Sequence, residues 1–422
     1  MPYLKETGLA ILKALADRQA GMAASGRPSR GMRLVAFALV LGSAVAAPVA
    51  GPATGAAAPG DDALANIECG WSPRLGAGTV NAAFPDTFAN YWVAFLPATA
   101  GASVTIHGEF PHARYMSFTA YAKRGEATGS LNDQVIAADV GSVNPFGNGA
   151  DRETSARDYT VRVVVGAPPS QPEANTLYTG DASGPVPIAY RVYRPDNGGD
   201  ATGGTGLPHL TVNLPGGRDH ELPECPATEA VFDPHAEYPS GHGRLPGRAI
   251  QPQAPDWKPA AGGGFYPNPD NKYLATLLEP GRVAVIRGKL PITPATYLRQ
   301  PVMGSGQVRY WSMCSNSPVS TAVTACVVDD ETAVDTDGFY TIVVSPAADR
   351  PANTTGGCGV GWLPSDSGSN LLIMRNMLPA SNFQQSIQNA DPADPKSSMG
   401  PYYPEVRYAS KAEVEASGCP SP

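Results

Sequence analysis

Alternating apolar and polar residues predict β-strands along most of the chain. Within residues 115–121, Met116, Phe118 and Ala120 fall on one strand face, and the Tyr, Ser and Thr positions fall on the other. Runs rich in β-branched and aromatic residues, bounded by Gly and Pro, predict the other strands. These strands are residues 91–96, 103–106, 159–165, 188–194, 210–214, 273–278, 340–345 and 372–379.

The segment at residues 101–121 recurs in the second half of the chain, where an insertion separates Pro291 from Arg309. The pairs that share a residue type between the two copies include Gly108 and Gly288, Arg114 and Arg309, Ser117 and Ser312, and Arg191 and Arg375. This duplication predicts two β units of one architecture, related by a pseudo-two-fold axis or by translation.

Composition supports the same class. The 422 residues include 46 Gly and 43 Pro, which is too much for a helical protein, and the content of Val, Ile, Tyr and Phe is too high for a disordered one. We therefore predict an all-β protein of two tandem antiparallel β-sandwich units of jelly-roll-like type, joined by a long Pro/Gly-rich linker. The predicted divisions are a signal peptide region at 1–46, a flexible mature N-terminus at 47–60, the first unit at 61–214, the linker at 215–266, the second unit at 267–380 and a C-terminal segment at 381–422.

The N-terminal region has the pattern of an export signal. Arg30 and Arg33 precede an apolar run at residues 34–41, and Ala-Val-Ala at 44–46 is typical of a cleavage site. The run is too short for a membrane-spanning helix. The alternative is that residues 1–31 form a cytoplasmic helix before an anchor. We favour a secreted protein, extracellular or in the cell envelope, without a membrane span after cleavage.

Six cysteines follow the predicted cleavage site. An even number in an exported chain indicates disulfides rather than a metal site. Cys314 ends one predicted strand and Cys326 opens the next, which favours a hairpin disulfide between them. The first half holds Cys69 and Cys225, which we pair with each other. Cys358 and Cys419 are then paired by elimination.

The net charge of −8 and the lack of a basic run exclude nucleic acid as a partner. A small-molecule or polymer ligand is the partner class that remains. We predict no cofactor, because neither a zinc-knuckle nor a c-type haem motif occurs.

The second unit resembles a known family. Its motifs run in the order RYWS, DGFYTIVVS, GVGWLP and LLIMRNMLP, within residues 309–379. This order resembles the domain-of-unknown-function family twelve-fourteen, and residues 114–196 match it more loosely, with Asn-Thr-Leu-Tyr at 175–178 where the Trp-Leu-Pro turn belongs. The resemblance implies a jelly-roll-like sandwich. It implies no reaction, so it gives no catalytic residue.

The duplicated arginines are the first candidate site. A guanidinium on a strand rich in Tyr, Met and Val needs an acceptor. One interpretation is a pocket for an anionic or hydroxylated ligand, formed by Arg114, Tyr115, Arg191 and Tyr193 of the first unit. The other interpretation is a structural ion pair, with Asp139, Asp337 or a loop carbonyl as the acceptor.

Histidines give the second candidate site. His107, Glu109 and His112 lie close together in the first unit, and His and Glu on jelly-roll strands are ligands that transition metals accept. The spacing differs from the cupin pattern, and an exposed polar strand face explains the residues equally well. A similar group in the linker consists of Asp233, His235, Glu237 and His242.

These features favour a secreted, disulfide-bonded binding protein without catalytic activity, whose ligand is small or extended. No G-x-S-x-G motif occurs, and nothing in the sequence identifies a catalytic residue. The alternative is a secreted hydrolase or metal-dependent enzyme with its site in the first unit. A structural protein of the cell envelope is a third interpretation.

Overall fold

The computed structural model describes residues 67–96, 103–122, 125–180, 185–213, 219–226, 255–260 and 266–419, which form four β-sheets. The predicted signal peptide region and most of the linker, including Asp233, His235, Glu237 and His242, lie outside the described residues. The strands are β1 (Ala89–Leu96), β2 (Ser103–Glu109), β3 (Ala113–Tyr121), β4 (Ala127–Asn132), β5 (Asp158–Val164), β6 (Thr176–Tyr178), β7 (Val186–Pro195), β8 (His209–Asn213), β9 (His220–Leu222), β10 (Lys258–Pro259), β11 (Asn271–Leu278), β12 (Val283–Lys289), β13 (Tyr310–Asn316), β14 (Val323–Val328), β15 (Phe339–Ser345), β16 (Val360–Pro364), β17 (Asn370–Met377) and β18 (Glu405–Ala409).

The all-β class with two sandwich units is confirmed. In the first sandwich one sheet has the order β1-β7-β3-β4 and the other has the order β6-β5-β2-β8-β9. In the second sandwich the corresponding orders are β10-β11-β17-β13-β14 and β16-β15-β12-β18. Leaving β9 and β10 aside, each strand of one sandwich has a counterpart in the same place in the other.

The cross-strand register also agrees between the two sandwiches. Ser117 lies opposite Arg191 in the first, and Ser312 lies opposite Arg375 in the second. Pairing is antiparallel except between β5 and β6 and between β15 and β16, which are parallel. The Trp-Leu-Pro segment, expected as a turn, therefore lies in a strand, β16.

The second sandwich extends past the predicted boundary at residue 380. Its strand β18 pairs with β12, as β8 pairs with β2 in the first sandwich. Two short helices flank β18. Helix α1 (Pro395–Met399) begins at the cap Asp394, and α2 (Lys411–Ala416) begins at a capping box formed by Ser410 and Glu413.

All three predicted disulfides are confirmed. Cys69 is bonded to Cys225, Cys314 to Cys326 and Cys358 to Cys419. The Cys314–Cys326 bond joins directly opposed residues of β13 and β14, as the hairpin argument predicts.

Each sandwich has its own apolar core, and a third cluster joins them. Ala89, Tyr115 and Tyr193 of the first sandwich pack against residues of the second. Their partners are Tyr310, Val328 and Met377. The two sheets that contain β3 and β13 therefore face each other, which explains why both of these strands are buried along their whole length. We call this contact the seam.

The insertion in the second copy reaches across to the first sandwich. Residues 296–303, which we call the arm, bring Met303 into the first core. Arg152 binds the arm through its backbone N–H, which donates to the Pro301 carbonyl, and through its guanidinium, which donates to the Gln300 carbonyl.

Candidate functional site

Arg114 is buried at the seam and bound by acidic residues of the second sandwich. Its Nη1 lies 2.9 Å from Asp329 Oδ1, and its Nη2 lies 2.8 Å from Asp330 Oδ2. Its Nε donates to Thr296 Oγ1 of the arm. The side chain is completely buried, so its charge is compensated by the protein itself.

Arg309 makes the reciprocal contact. Its Nη1 lies 2.9 Å from Asp133 Oδ1 of the first sandwich. Asp133 also accepts from the Met116 N–H, and Asp329 likewise accepts from the Trp311 N–H. A contact in which each copy uses the same surface against the other is the pattern of a two-fold relation and not of a translation.

Arg191 and Arg375 form a second reciprocal set. Arg191 donates to the Tyr121 hydroxyl and, at 2.9 Å, to the Tyr266 carbonyl in the segment before β11. Arg375 donates at 2.8 Å to the Phe84 carbonyl in the segment before β1. Tyr266 and Phe84 both have left-handed backbones, with φ of 48° and 55°, which turns their carbonyls toward the guanidinium groups.

These contacts support the structural interpretation of the arginines, with different acids from those expected. The ion pairs do not involve Asp139 or Asp337, but the loop carbonyl is the acceptor for Arg191. Tyr115 and Tyr193 are buried as well, and Tyr115 donates at 2.7 Å to Asp270. Direct ligand binding by Arg114, Tyr115, Arg191 and Tyr193 stays a prediction.

Burial at the seam perturbs the acidic groups. Desolvation raises the pKa of Asp133 to about 6, although the Arg309 guanidinium opposes the shift. Desolvation also raises the pKa of Asp329, again opposed by Arg114. The arginine partners thus offset only part of the desolvation cost of these carboxylates.

One difference between the two sides of the seam lies just before β1 and β11. Asp86 precedes β1 and accepts from Ser312 Oγ at 2.6 Å, whereas the corresponding position before β11 is Asn268, which accepts from the Tyr115 hydroxyl. Asp86 also lies 3.6 Å from Arg375. The first copy thus has a carboxylate at a position where the second has a neutral amide.

Several buried polar atoms at the seam have no hydrogen-bond partner among the described residues. They are Ser117 Oγ, Arg191 Nη1, Asn268 Nδ2, both amide atoms of Asn271, and Tyr310 OH. Buried polar groups of this kind are usually satisfied by ordered water. The seam is therefore a layer of buried polar and aromatic side chains.

An open cleft of about 270 Å³ lies beside the seam. Arg194 lies at its floor, where Asp330 and Glu331 bind the guanidinium at 2.6 and 2.7 Å. The same guanidinium lies 3.6 Å from the ring centre of Tyr297 in the arm and 4.9 Å from that of Phe88. The remaining lining residues include Arg74, Asn90, Asp196 and Asp200.

Arg194 distinguishes the first sandwich from the second. Its backbone is left-handed, with φ of 49°, and Leu378 at the same place in the second sandwich has φ of 44°. The N–H of Arg194 donates to the Phe88 carbonyl, and the N–H of Leu378 donates to the Asp270 carbonyl. The fold therefore fixes this backbone in both copies, while the guanidinium is specific to the cleft.

The structure does not assemble the predicted metal group. His107 and Glu109 are exposed on β2, whereas His112 lies beyond the strand and is bound by the Arg157 guanidinium. Burial and the Arg157 charge lower the pKa of His112. Among the described residues, the one set of three donor atoms within 4.8 Å is Asp86 with Cys314 and Cys326, whose sulfurs form a disulfide.

Sequence reasoning missed the acidic partners of the seam. The sequence does contain a signal for them. Asp133 directly follows β4 in the first copy, and Asp329 directly follows the equivalent strand, β14, in the second. An Asp at the same place in both copies indicates a shared role. Tyr297 was also missed, and Arg194 was not among the predicted site residues. Neither has a counterpart of its own type in the other copy, so the duplication could not indicate them.

Comparisons with known proteins give a limited result. No family model matches the chain, and no curated protein matches it. Among solved structures, an uncharacterized protein from Burkholderia cenocepacia is similar with a TM-score of 0.47 and 12% identity, over 83% of this chain and 84% of that one. The VPA0106 protein from Vibrio parahaemolyticus is similar with a TM-score of 0.38 and 12% identity, over 77% of this chain and 90% of that one. In the part of the chain that is described, none of the helices has the length and apolar character needed to cross a membrane.

Proposed function

We propose that the chain is an exported binding protein without catalytic activity, and that its ligand site is the cleft around Arg194. The observation that carries the proposal concerns the Arg194 side chain. Arg194 and Leu378 have the same left-handed backbone at equivalent places in the two sandwiches, but only the first sandwich has a guanidinium there, and it lines the cleft. A charged residue that the other copy of the fold lacks, and that lines a concave surface, favours a role in recognition.

The lining suits a small hydroxylated ligand. Arg74 and Asn90 are hydrogen-bonded to each other at 3.1 Å at the rim and can turn toward a ligand, while Tyr297 and Phe88 offer ring faces. The inner charges are already compensated, because Asp196 is paired with Arg152 and Arg194 is paired with Asp330. Neutral or weakly anionic sugars combine hydroxyl groups with apolar ring faces and match this lining.

Export is part of the proposal. Three disulfides in one chain are formed and kept in an oxidising compartment, which supports secretion to the cell exterior or the envelope. Membership of the domain family twelve-fourteen also stays a proposal. It is supported by the Arg-bearing strand β17 beside β13 and by the turn at Gly338, whose φ is 81°.

The test is saturation-transfer NMR on the intact protein with galactose and with galacturonate. We expect contact with at least one of them, and we expect Arg74→Ala and Tyr297→Leu to weaken it. The matched control is Arg282→Ala, because Arg282 stacks on Tyr408 in a separate open cleft of about 480 Å³ in the second sandwich. Binding that vanishes in Arg282→Ala but survives in both other variants would place the site in the second sandwich and overturn the proposal.

A further inference from the structure

Two histidines face each other on the outer surface of the first sandwich. His107 of β2 and His209 of β8 are directly opposed in the antiparallel register. Cross-strand partners have Cβ atoms about 5 Å apart on one face of the sheet. Both side chains are exposed, by 53% for His107 and 68% for His209, so both rings are open to solvent.

A hydrogen-bond acceptor lies at Nδ1 of each ring, a carboxylate for His209 and a hydroxyl for His107. His209 Nδ1 lies 2.7 Å from Glu221 Oε1. His107 Nδ1 lies 3.2 Å from Thr160 Oγ1, and that hydroxyl donates its own proton to Asp139 at 2.8 Å. Because Thr160 Oγ1 and the Glu221 carboxylate act as acceptors here, Nδ1 of each neutral imidazole carries the proton. The lone pair is then on Nε2 of each ring.

This arrangement is the one found around metal-binding histidines. A histidine ligand usually donates its second N–H to a carboxylate, which fixes the tautomer and increases the basicity of the ligating nitrogen. Here His209 has such a carboxylate in direct contact, and His107 reaches one, Asp139, through the Thr160 hydroxyl. Imidazole nitrogens suit zinc, copper and nickel ions.

The second sandwich shows that the fold does not need these imidazoles. At the same register, Arg287 of β12 lies opposite Glu405 of β18. Arg287 donates to Thr341 at 3.2 Å and to Asp335 at 2.5 Å, as His107 contacts Thr160 and lies near Asp139. An opposed Arg and Glu can attract each other, whereas two opposed histidines gain no such attraction and repel each other when protonated.

We propose that His107 and His209 together bind one divalent transition-metal ion through their Nε2 atoms, with Asp139 and Glu221 as outer hydrogen-bond acceptors. Water completes the coordination, since the site is on the surface. Zn²⁺ is the ion chosen for the test. This site differs from the metal group predicted from the sequence. It keeps His107, but its second ligand is His209, and Glu109 and His112 take no part.

The experiment is calorimetric titration of Zn²⁺ into the intact, tag-free protein after metal removal. We expect one ion per chain, and loss of this binding in both His107→Ala and His209→Ala. Glu221→Gln keeps both ligands and should weaken binding by about tenfold. Circular dichroism checks that each variant is folded, and His107→Gln repeats the measurement with a side chain closer in size.

Two controls separate this site from other histidines. His220→Ala removes an exposed histidine on the neighbouring strand β9 and should leave binding unchanged. A His235→Ala, His242→Ala double variant removes the linker histidines and should also have no effect. Electron paramagnetic resonance with Cu²⁺ should show two coordinated imidazole nitrogens. The proposal is overturned if the wild type binds no Zn²⁺, if binding survives in His209→Ala, or if a control variant abolishes it.

Discussion

Arg114 of the first sandwich and Asp329 of the second form an ion pair of 2.9 Å whose side chains are 0% and 1% exposed. The pair crosses the seam, so neither sandwich alone contains both charges. Removing one partner of such a pair leaves an uncompensated buried charge, which costs far more than the pair contributes relative to apolar residues.

Arg114→Met should therefore lower the free energy of unfolding by about 3 to 5 kcal/mol, because Asp329 is left buried and Asp330 loses one of its two arginine partners. Urea denaturation with intact disulfides measures the change. The control is Arg162→Met, which breaks an exposed contact of 3.5 Å with Glu173 and should cost about 1 kcal/mol or less. Equal losses in the two variants would show that the seam pair is not energetically special.

Because of the raised pKa of Asp133, the free energy of unfolding should fall as the pH rises from about 4 to 6. Its pKa is 3.8 in the unfolded chain and about 6 when folded, so between these values only the folded state keeps the proton. The contribution of Asp133 to the free energy of unfolding is complete below pH 3.8 and is lost as the pH rises through 6. The shift corresponds to about 3 kcal/mol.

Asp133→Asn tests this dependence. The stability of the wild type minus that of the variant should be larger at pH 4 than at pH 7, by about 2 kcal/mol. Denaturation at both pH values gives the two differences. A difference that is constant or grows toward pH 7 would contradict the raised pKa.

Gly108 and Gly288 should not tolerate alanine. A Cβ on Gly108 would lie 2.7 Å from Pro208 Cβ and 2.9 Å from the Tyr159 hydroxyl, and one on Gly288 would lie 2.7 Å from the Tyr340 hydroxyl. Each substitution should lower stability by about 1 to 3 kcal/mol through overpacking. Gly368→Ala is the control, because a Cβ there meets no described atom within 4 Å. If the control loses as much stability as the other two, close packing is not the cause.

The Cys358–Cys419 disulfide should stabilise the C-terminal part of the second sandwich. It closes a loop over a sequence separation of 61 residues, so replacing both cysteines with serine should cost about 4 kcal/mol on the chain-entropy estimate. Thermal unfolding measures the loss, and hydrogen exchange should show faster opening of α2 and β18. Unchanged exchange in these two elements would mean that the bond does not hold them in place.

The sequence predicted the strands and the hairpin disulfide because both depend on local patterns. The other two disulfides followed from the division of the cysteines between the two halves and from elimination. The alternation around Met116 and Phe118 marks a strand wherever it occurs, and the strand ends near Cys314 and Cys326 indicate their hairpin. The last strand of the second sandwich was missed. Its counterpart β8 begins at His209 after β7 ends at Pro195, whereas β18 begins at Glu405 after β17 ends at Met377, beyond a longer segment that includes α1.

The sites depend on contacts that no local pattern contains. The ion pair of Arg114 joins residues on different sandwiches, and the opposition of His107 and His209 follows from the register of β2 and β8. The sequence identified Arg114 and His107 as residues that need partners. It could not select the partners, because that requires knowing which strands are neighbours.

The reciprocal seam has a consequence for how the chain is made. Synthesis delivers the first sandwich before Asp329, Asp330 and the arm exist, so its tyrosine face and Arg114 stay uncovered until the second half follows. During that interval the second sandwich of another molecule can cover this face of the first sandwich, because its surface is identical to that of the chain's own second sandwich. Dilution during refolding would then favour monomers, and crowding would favour exchanged dimers in which the halves of two chains have traded places.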